Sequence, residues 1–144
     1  MSIEELKEQA AELKSLVSLQ RLVAVKFCES EDEIPDRARR PVANVGFHMA
    51  LCQGYHQART TGTTTAFGFE DNFCIPGAAA FGLTEFEFKL APWHAPDDET
   101  AAPIDAELAR RLTLLPKDKY KFIVFQPFDR LTMEPDVVMI YGTP

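Results

Sequence analysis

Residues 119–126 constrain the fold more than any other segment, because apolar residues follow one another there without interruption from Phe122 to Phe125. Neighbouring residues of a strand point to opposite faces of its sheet. A strand that is apolar on both faces is typical of a sheet that other elements cover on both sides. The pattern therefore predicts a strand in the interior of a layered fold.

The rest of the chain alternates between strand-like and helix-like patterns. Strand patterns occupy four further segments, residues 22–28, 63–69, 84–90 and 136–141. Helix patterns occupy residues 2–18, 46–60, 76–81 and 106–115. The prolines and acidic residues of 91–103 predict an irregular crossover or a lid. We therefore predict a single domain over residues 1–144, of the α/β or α+β class, with a mixed β-sheet of about five strands and packed helices.

The N-terminal helix pattern, residues 1–18, begins with a capping box, in which Ser2 and Glu5 bind each other's backbone N–H groups. Its apolar residues are spaced alternately three and four apart and form one narrow stripe of Ile3, Leu6, Ala10, Leu13 and Val17. We expect this amphipathic helix to lie on the domain or on a partner subunit. Together with the abrupt end of the chain after a buried strand, the stripe predicts a homodimer.

Composition excludes several kinds of partner. The net charge of −7 disfavours nucleic acid and anionic membrane surfaces, which attract basic residues. No apolar run approaches the roughly 20 residues of a membrane-spanning helix, and the N-terminus does not resemble a signal peptide. We therefore expect a cytoplasmic protein. Three cysteines are too few for a disulfide framework, so reduced thiols are available for ligation or redox chemistry.

The candidate site is a row of metal-binding residue types on one predicted helix. His48, Cys52 and His56 follow one another at intervals of four residues, which stacks them on one helix face. Cys74 lies just before another helix, where the positive helix end favours a thiolate. The two cysteines with one or both histidines are the donors of a zinc site, and with thiolates of a second chain they predict an iron–sulfur cluster. Gly77 lets such a cofactor approach the backbone closely.

Other interpretations stay open at this point. Free cysteine packs well as a small apolar residue, so the row on helix 46–60 is alternatively a buried face. Cys28 ends a predicted strand and is expected in the core or at a sheet edge. The thiols alternatively respond to redox state without a metal. A third interpretation is a non-catalytic binding module, in which the glycine-rich 74–82 turn, the phenylalanines and Arg59 form a pocket for a small organic acid or aromatic molecule. No motif decides whether the chain is an enzyme.

Two charged segments have both a functional and a structural interpretation. Arg37, Arg39 and Arg40 match the bidentate recognition of a carboxylate or phosphate, but a solvated loop is the simpler interpretation. Glu70 and Asp71 are candidates for acid–base chemistry, whereas a turn is the simpler role for Asp71.

Four motifs occur in order along the chain: VAVKF at 23–27, CQGYHQARxxG at 52–62, CxPGAAAFGL at 74–83 and PDVVMIYG at 135–142. This order resembles the bacterial and archaeal family known as domain of unknown function 169, or ArCR, over most of the chain after the first helix. The resemblance implies a fold group rather than an activity. Its strongest part is Cys52 in CQxxxxARxxG together with Cys74 in CxxGxxxxGL, a pattern without His48 and His56, which makes the thiol pair the sharper prediction. The resemblance implies a longer chain that continues past the equivalent of Tyr141, so we expect a shortened member, a cleaved product or one piece of a split protein.

Overall fold

The computed structural model of the chain describes residues 2–16, 21–85 and 96–141. Its four strands are β1 (Val23–Cys28), β2 (Thr65–Phe67), β3 (Phe122–Pro127) and β4 (Val137–Met139). They form one sheet in the order β2-β3-β1-β4, and every neighbouring pair is antiparallel. In this register Phe125 of β3 lies opposite Val25 on one side and Thr65 on the other.

Four α-helices accompany the sheet: α1 (Ile3–Leu16), α2 (Leu51–Thr60), α3 (Ile75–Ala80) and α4 (Asp98–Arg111). Short 3-10 turns occupy 31–33, 69–71 and 128–130, and a wider turn occupies Pro41–Val45. Not one of the helices that the structure describes has the length and apolar character needed to cross a bilayer.

Both faces of the sheet are covered, and this confirms the prediction for the central strand β3. On one face, Ile123 and Phe125 pack with α2 and the residues before it, in a cluster that also contains Val23, Val25, Met49, Leu51, Ala58 and Phe67. On the other face, Val124 packs with Cys28 and Ala66, next to a second cluster that includes Ala10 of α1. The alternation of strand side chains thus divides one apolar run between two layers.

The α+β class is confirmed, but the mixed sheet of about five strands is wrong for the part of the chain that the structure describes. A mixed sheet requires some parallel neighbours, which are joined by long crossovers such as helices. Instead β3 lies between β1 and β2 and runs antiparallel to both. The strands that precede and follow α2 along the chain, β1 and β2, are therefore not neighbours in the sheet. Of the predicted strand at 84–90, residues 86–90 lie outside the described residues.

Two helix boundaries differ from the prediction. Gly46 has a left-handed φ of 85° and closes the wider turn, so α2 begins at Leu51 instead of residue 46. The predicted helix 106–115 begins earlier, at Asp98, because Asp97 caps it by accepting a 2.8 Å hydrogen bond from the Thr100 N–H. That helix includes Pro103, so the prediction of irregular structure at 91–103 was wrong from 98 onward. The segment 91–95 lies outside the described residues.

The capping box of α1 is confirmed by two reciprocal bonds. The Ser2 N–H donates to Glu5 Oε2 at 2.6 Å, and the Glu5 N–H donates to Ser2 Oγ at 3.2 Å. Ala10 is buried against the sheet, whereas Leu13 on the same stripe is 36% exposed. The helix therefore covers the second face of the sheet mainly with the first part of its stripe.

Substitution of Gly54 by Ala tests the close approach of α2 to the sheet. A methyl group there would overlap the fully buried ring of Phe67, with Cζ at 2.7 Å, and would lie 3.0 Å from Thr65 Oγ1. Relief of this overlap costs about 1–3 kcal/mol, whereas Gly to Ala in an open helix interior stabilises by about 1 kcal/mol. We expect the free energy of unfolding, measured with urea, to fall. A more stable variant would contradict the close approach.

Candidate functional site

The starts of α2 and α3 lie side by side in the structure. The Met49 N–H donates to the Asp71 carbonyl at 2.9 Å, and the Phe73 N–H donates to the Met49 carbonyl at 3.4 Å. This short parallel bridge joins the segment before α2 to the segment before α3. Cys52, in the first turn of α2, and Cys74, the residue that precedes α3, are therefore attached to neighbouring helix starts. Cys52 is exposed, Cys74 is half-buried, and neither forms a disulfide.

The backbone at Cys74 is held by the side chain of Asn72. The amide Nδ2 of Asn72 donates to the Cys74 carbonyl at 2.7 Å, and the Cys74 N–H donates to Asn72 Oδ1 at 3.3 Å. One turn into α3, a Cβ on Gly77 would lie 3.3 Å from Cys74 Sγ and 3.8 Å from Leu51 Cδ1. Gly77 therefore leaves the space beside the sulfur free, next to the residue that precedes Cys52. Its role in cofactor binding stays a prediction.

The row of His48, Cys52 and His56 on one helix face was wrong for His48, because α2 begins only at Leu51. His48 lies before the helix, and its Nδ1 is 2.8 Å from the Glu70 carbonyl oxygen. A carbonyl oxygen only accepts, so Nδ1 carries the proton and Nε2 is the acceptor of the neutral ring. His56 lies on α2 and is exposed.

The exposed side of α2 carries the thiol. Its buried residues are Leu51, Gly54 and Ala58, whereas Cys52 and His56 face away from the sheet. The alternative that this row is a buried helix face is therefore wrong. Among the described residues, no group of three or more His, Cys, Asp or Glu side chains is placed to hold a metal ion. Zinc or iron–sulfur binding by Cys52, Cys74, His48 and His56 stays a prediction.

Large apolar side chains are exposed on the same two segments that carry the thiols. Phe47 and Phe73 are 56% and 58% exposed, and Phe69 and Ile75 are 47% and 38% exposed. Apolar residues scattered singly on a surface are ordinary, but here four are exposed on two segments that the Met49–Asn72 bridge joins.

A buried ion pair joins Arg40, in the segment after β1, to Asp71, in the segment before α3. The Asp71 carboxylate is 1% exposed and accepts hydrogen bonds from Arg40 Nε at 2.6 Å, the Gly68 N–H at 3.0 Å and the Val42 N–H at 3.2 Å. The remaining guanidinium nitrogens of Arg40 bind Glu31 and Glu70. Burial opposes the charge of Arg40, but the hydrogen bond to Asp71 and the negative charges of Asp71, Glu70 and Glu31 together outweigh it and raise the pKa of the guanidinium. Arg40 is therefore not part of a solvated loop, and Asp71 has the structural role that was the simpler expectation.

Cys28 is a core residue, which is one of the two roles expected for it. It is fully buried at the end of β1, and burial, reinforced by the Glu33 charge, raises the pKa of its thiol from 9.0 to about 11. Because the folded state retains this proton, any stability that depends on it is complete below pH 9 and is lost as the pH rises towards 11.

A pocket that joins the glycine-rich 74–82 turn, the phenylalanines and Arg59 stays a prediction. Arg59 stacks on the rings of Tyr55 and Tyr141, at 5.6 Å and 4.6 Å from their centroids. A small cleft at the end of α3 is lined by Ala79, Gly82 and Leu115, without Arg59. A larger cleft of about 940 Å³ lies elsewhere, on the sheet face that α1 covers, and includes Arg37 and Arg39. In the sequence, only the arginines of residues 37–40 indicated this cleft.

Substitution of Arg40 by Gln leaves the Asp71 carboxylate buried without its cation. Breaking such a pair on one side costs about 3–5 kcal/mol. We expect the free energy of unfolding to fall by about 3 kcal/mol, the lower end of this range, because the Arg40 side chain is slightly exposed. Arg39→Gln is the matched control, since its neighbouring exposed guanidinium has no ion pair among the described residues, and we expect a change within about 0.5 kcal/mol. Equal losses in both variants would contradict a special role of the Arg40–Asp71 pair.

Alkylation rates test the positions of the three thiols. In the native protein at neutral pH, we expect iodoacetamide to modify Cys52 first and Cys74 more slowly, because Cys52 is exposed and Cys74 is half-buried. Cys28 should remain unmodified until the protein is unfolded in denaturant, where all three react. Peptide mapping by mass spectrometry gives the order. Native modification of Cys28 as fast as that of Cys52 would refute this arrangement.

One family is found by comparison with known proteins. Its sequence profile, described as uncharacterised ArCR, matches residues 12–144. No curated protein and no solved structure matches the chain. The profile spans both segments that meet at the Met49–Asn72 bridge and both thiols attached to them. The chain therefore belongs to the uncharacterised ArCR family, domain of unknown function 169.

Proposed function

We propose that this chain is a thiol-based, redox-responsive protein in which Cys52 and Cys74 are the reacting groups. One observation carries the proposal: the backbone pairing of Met49 with Asn72 joins two helix starts, and each bears one accessible thiol. The membership of both cysteines in the family motifs supports it further.

The chemistry requires an oxidant and two thiols. A peroxide oxidises the more exposed thiol, that of Cys52, to a sulfenic acid and releases one water. The Cys74 thiolate then attacks this sulfur and displaces a second water, which leaves a disulfide. Two thiols and one hydrogen peroxide thus become one disulfide and two waters. The product would join the starts of α2 and α3 covalently, beside the exposed Phe47 and Phe73.

The third cysteine, Cys28, is expected to react with peroxide much more slowly than Cys52 and Cys74. Reactivity follows the thiolate fraction and its accessibility. Cys28 fails on both counts, because it is buried and its pKa is raised to about 11. The proposal therefore concerns two specific thiols and not cysteines in general.

Metal binding is the related candidate, and one observation favours it. The contact of His48 Nδ1 with the Glu70 carbonyl leaves Nε2 as the free ring acceptor, the arrangement in which histidine ligates metals. Against it stands the lack of a three-donor group among the described residues. Zinc or an iron–sulfur cluster would require further donors, and a homodimer is one source of them.

Peroxide titration of the purified chain tests the proposal. We expect one equivalent of hydrogen peroxide to remove two hydrogens from the mass of the monomer, with a disulfide between Cys52 and Cys74 by peptide mapping. Cys52→Ser and Cys74→Ser should each abolish this product. Cys28→Ala is the matched control and should retain it.

Three outcomes would contradict the proposal. They are a disulfide that includes Cys28, an unchanged pair of thiols after peroxide treatment, and a product formed only between two chains. Zinc or iron retained through purification and lost in the Cys52→Ser/Cys74→Ser variant would replace it with the metal-binding function.

A further inference from the structure

We propose that the cleft on the face of the sheet that α1 covers is a binding site for a small organic molecule that carries a carboxylate or phosphate group. The cleft has a volume of about 940 Å³. Pockets for small organic ligands have volumes of about 300–1,000 Å³, far more than a single inorganic ion needs. This site is separate from the thiols and does not depend on the proposed redox function.

Four parts of the chain form the cleft. They are Lys7 of α1, residues 32–39 after β1, residues 62–64 before β2, and residues 126–133 at the end of β3 and beyond. Two polar residues of the lining, Thr64 and Gln126, are buried at 9% and 3% exposure. The amide of Gln126 is held by two bonds to Thr132, at 2.9 Å and 3.1 Å, so this wall is ordered.

Arg37 and Arg39 supply the first pair of cations. Neither guanidinium has an ion pair or a side-chain hydrogen bond among the described residues. The backbone of Arg39 is nevertheless fixed at the edge of β2, because its N–H donates to the Thr64 carbonyl at 2.9 Å and its carbonyl accepts from the Ala66 N–H at 3.0 Å. The neighbouring Arg40 is bound by three carboxylates. The anchored but unpaired Arg39 is suited to a bidentate contact with a ligand oxyanion.

A second concentration of positive charge lies across the cleft at Gly62. Arg130 Nη1 donates to the Gly62 carbonyl at 3.0 Å. The Cζ atoms of Arg21 and Arg130 lie 3.4 Å and 3.6 Å from the position that a Cβ on Gly62 would take. Gly62 has a φ of 72°, so glycine both permits this turn and makes room for the two guanidiniums. Arg21 is paired with Asp129, with Nε 3.6 Å from Oδ1, whereas Arg130 lines the cleft and has no ion pair among the described residues, so Arg130 is the cation available to an anion at this end.

The carboxylates of Asp32, Glu33 and Asp36 also line the cleft and indicate which groups a ligand carries besides its acid group. Glu33 Oε1 accepts hydrogen bonds from the Glu29 and Ser30 N–H groups, each at 3.0 Å, and this oxygen is therefore already hydrogen-bonded within the chain. Asp32 and Asp36 form no ion pair with the nearby arginines. They are acceptors for hydroxyl or amino groups. The lining thus has four cationic and three acidic side chains in a chain of net charge −7, which favours a polar organic acid over a simple anion.

Binding measurements on the folded chain test this site with defined probes. Calorimetric titrations with citrate, aspartate, glycerol 3-phosphate and inorganic phosphate separate carboxylate from phosphate ligands, and glycerol is the neutral control. The Arg37→Gln/Arg39→Gln variant removes the unpaired cations. Arg110→Gln/Arg111→Gln is the matched control, because it makes the same charge change on the exposed surface of α4, where both arginines pair with Glu107.

We expect at least one of the three organic probes to bind, and to bind at least about tenfold more weakly to Arg37→Gln/Arg39→Gln, since a charge-assisted hydrogen bond is typically worth that much. The control variant should bind within about twofold of the unsubstituted protein. The proposal is overturned if no organic probe binds at millimolar concentration, if both variants lose affinity equally, or if inorganic phosphate binds as tightly as the organic probes.

Discussion

The buried carboxylate of Asp71 is the interaction on which the arrangement of this molecule depends. Its side chain binds Arg40 and the backbone of Gly68 and Val42, while its own carbonyl accepts from the Met49 N–H. One residue therefore joins the segment after β1, the turn before α2 and the turn before α3. A buried carboxylate is stable only with such partners, so these segments hold one another in place. These bonds also hold the segments that carry the thiols of Cys52 and Cys74.

Arg39 and Arg40 show how the sheet edge distributes charge. The chain is extended at this point and pairs with β2, so adjacent side chains diverge. Arg40 is only 16% exposed and is neutralised by carboxylates, whereas Arg39 lines the cleft on the α1 side of the sheet. Two residues of the same type thus have opposite roles, one in stability and one available to a ligand. The two candidate sites, the thiols and the cleft, lie on different parts of the molecule because of this divergence.

Local patterns in the sequence were sufficient where the structure depends on local chemistry. The buried strand β3 and the capping box of Ser2 with Glu5 were both predicted from neighbouring residues. His48 was misassigned because the bridge from Met49 to Asn72 draws the preceding residues out of the helix, and Asn72 is 23 positions further along the chain. The helix α4 was placed too late because Asp97 caps it before Pro103.

The sequence by itself narrowed the fold to the α/β or α+β class, placed β3 in the interior and, through the family resemblance, singled out the thiols of Cys52 and Cys74. These follow from side-chain periodicity and residue type, which are properties of short segments. The tertiary structure alone decided that β3 separates β1 from β2, that α2 exposes Cys52 and His56, and that Arg40 rather than Arg39 is paired. Each of these depends on contacts between segments distant along the chain, whose geometry forms only when the sheet and the Asp71 bonds form together.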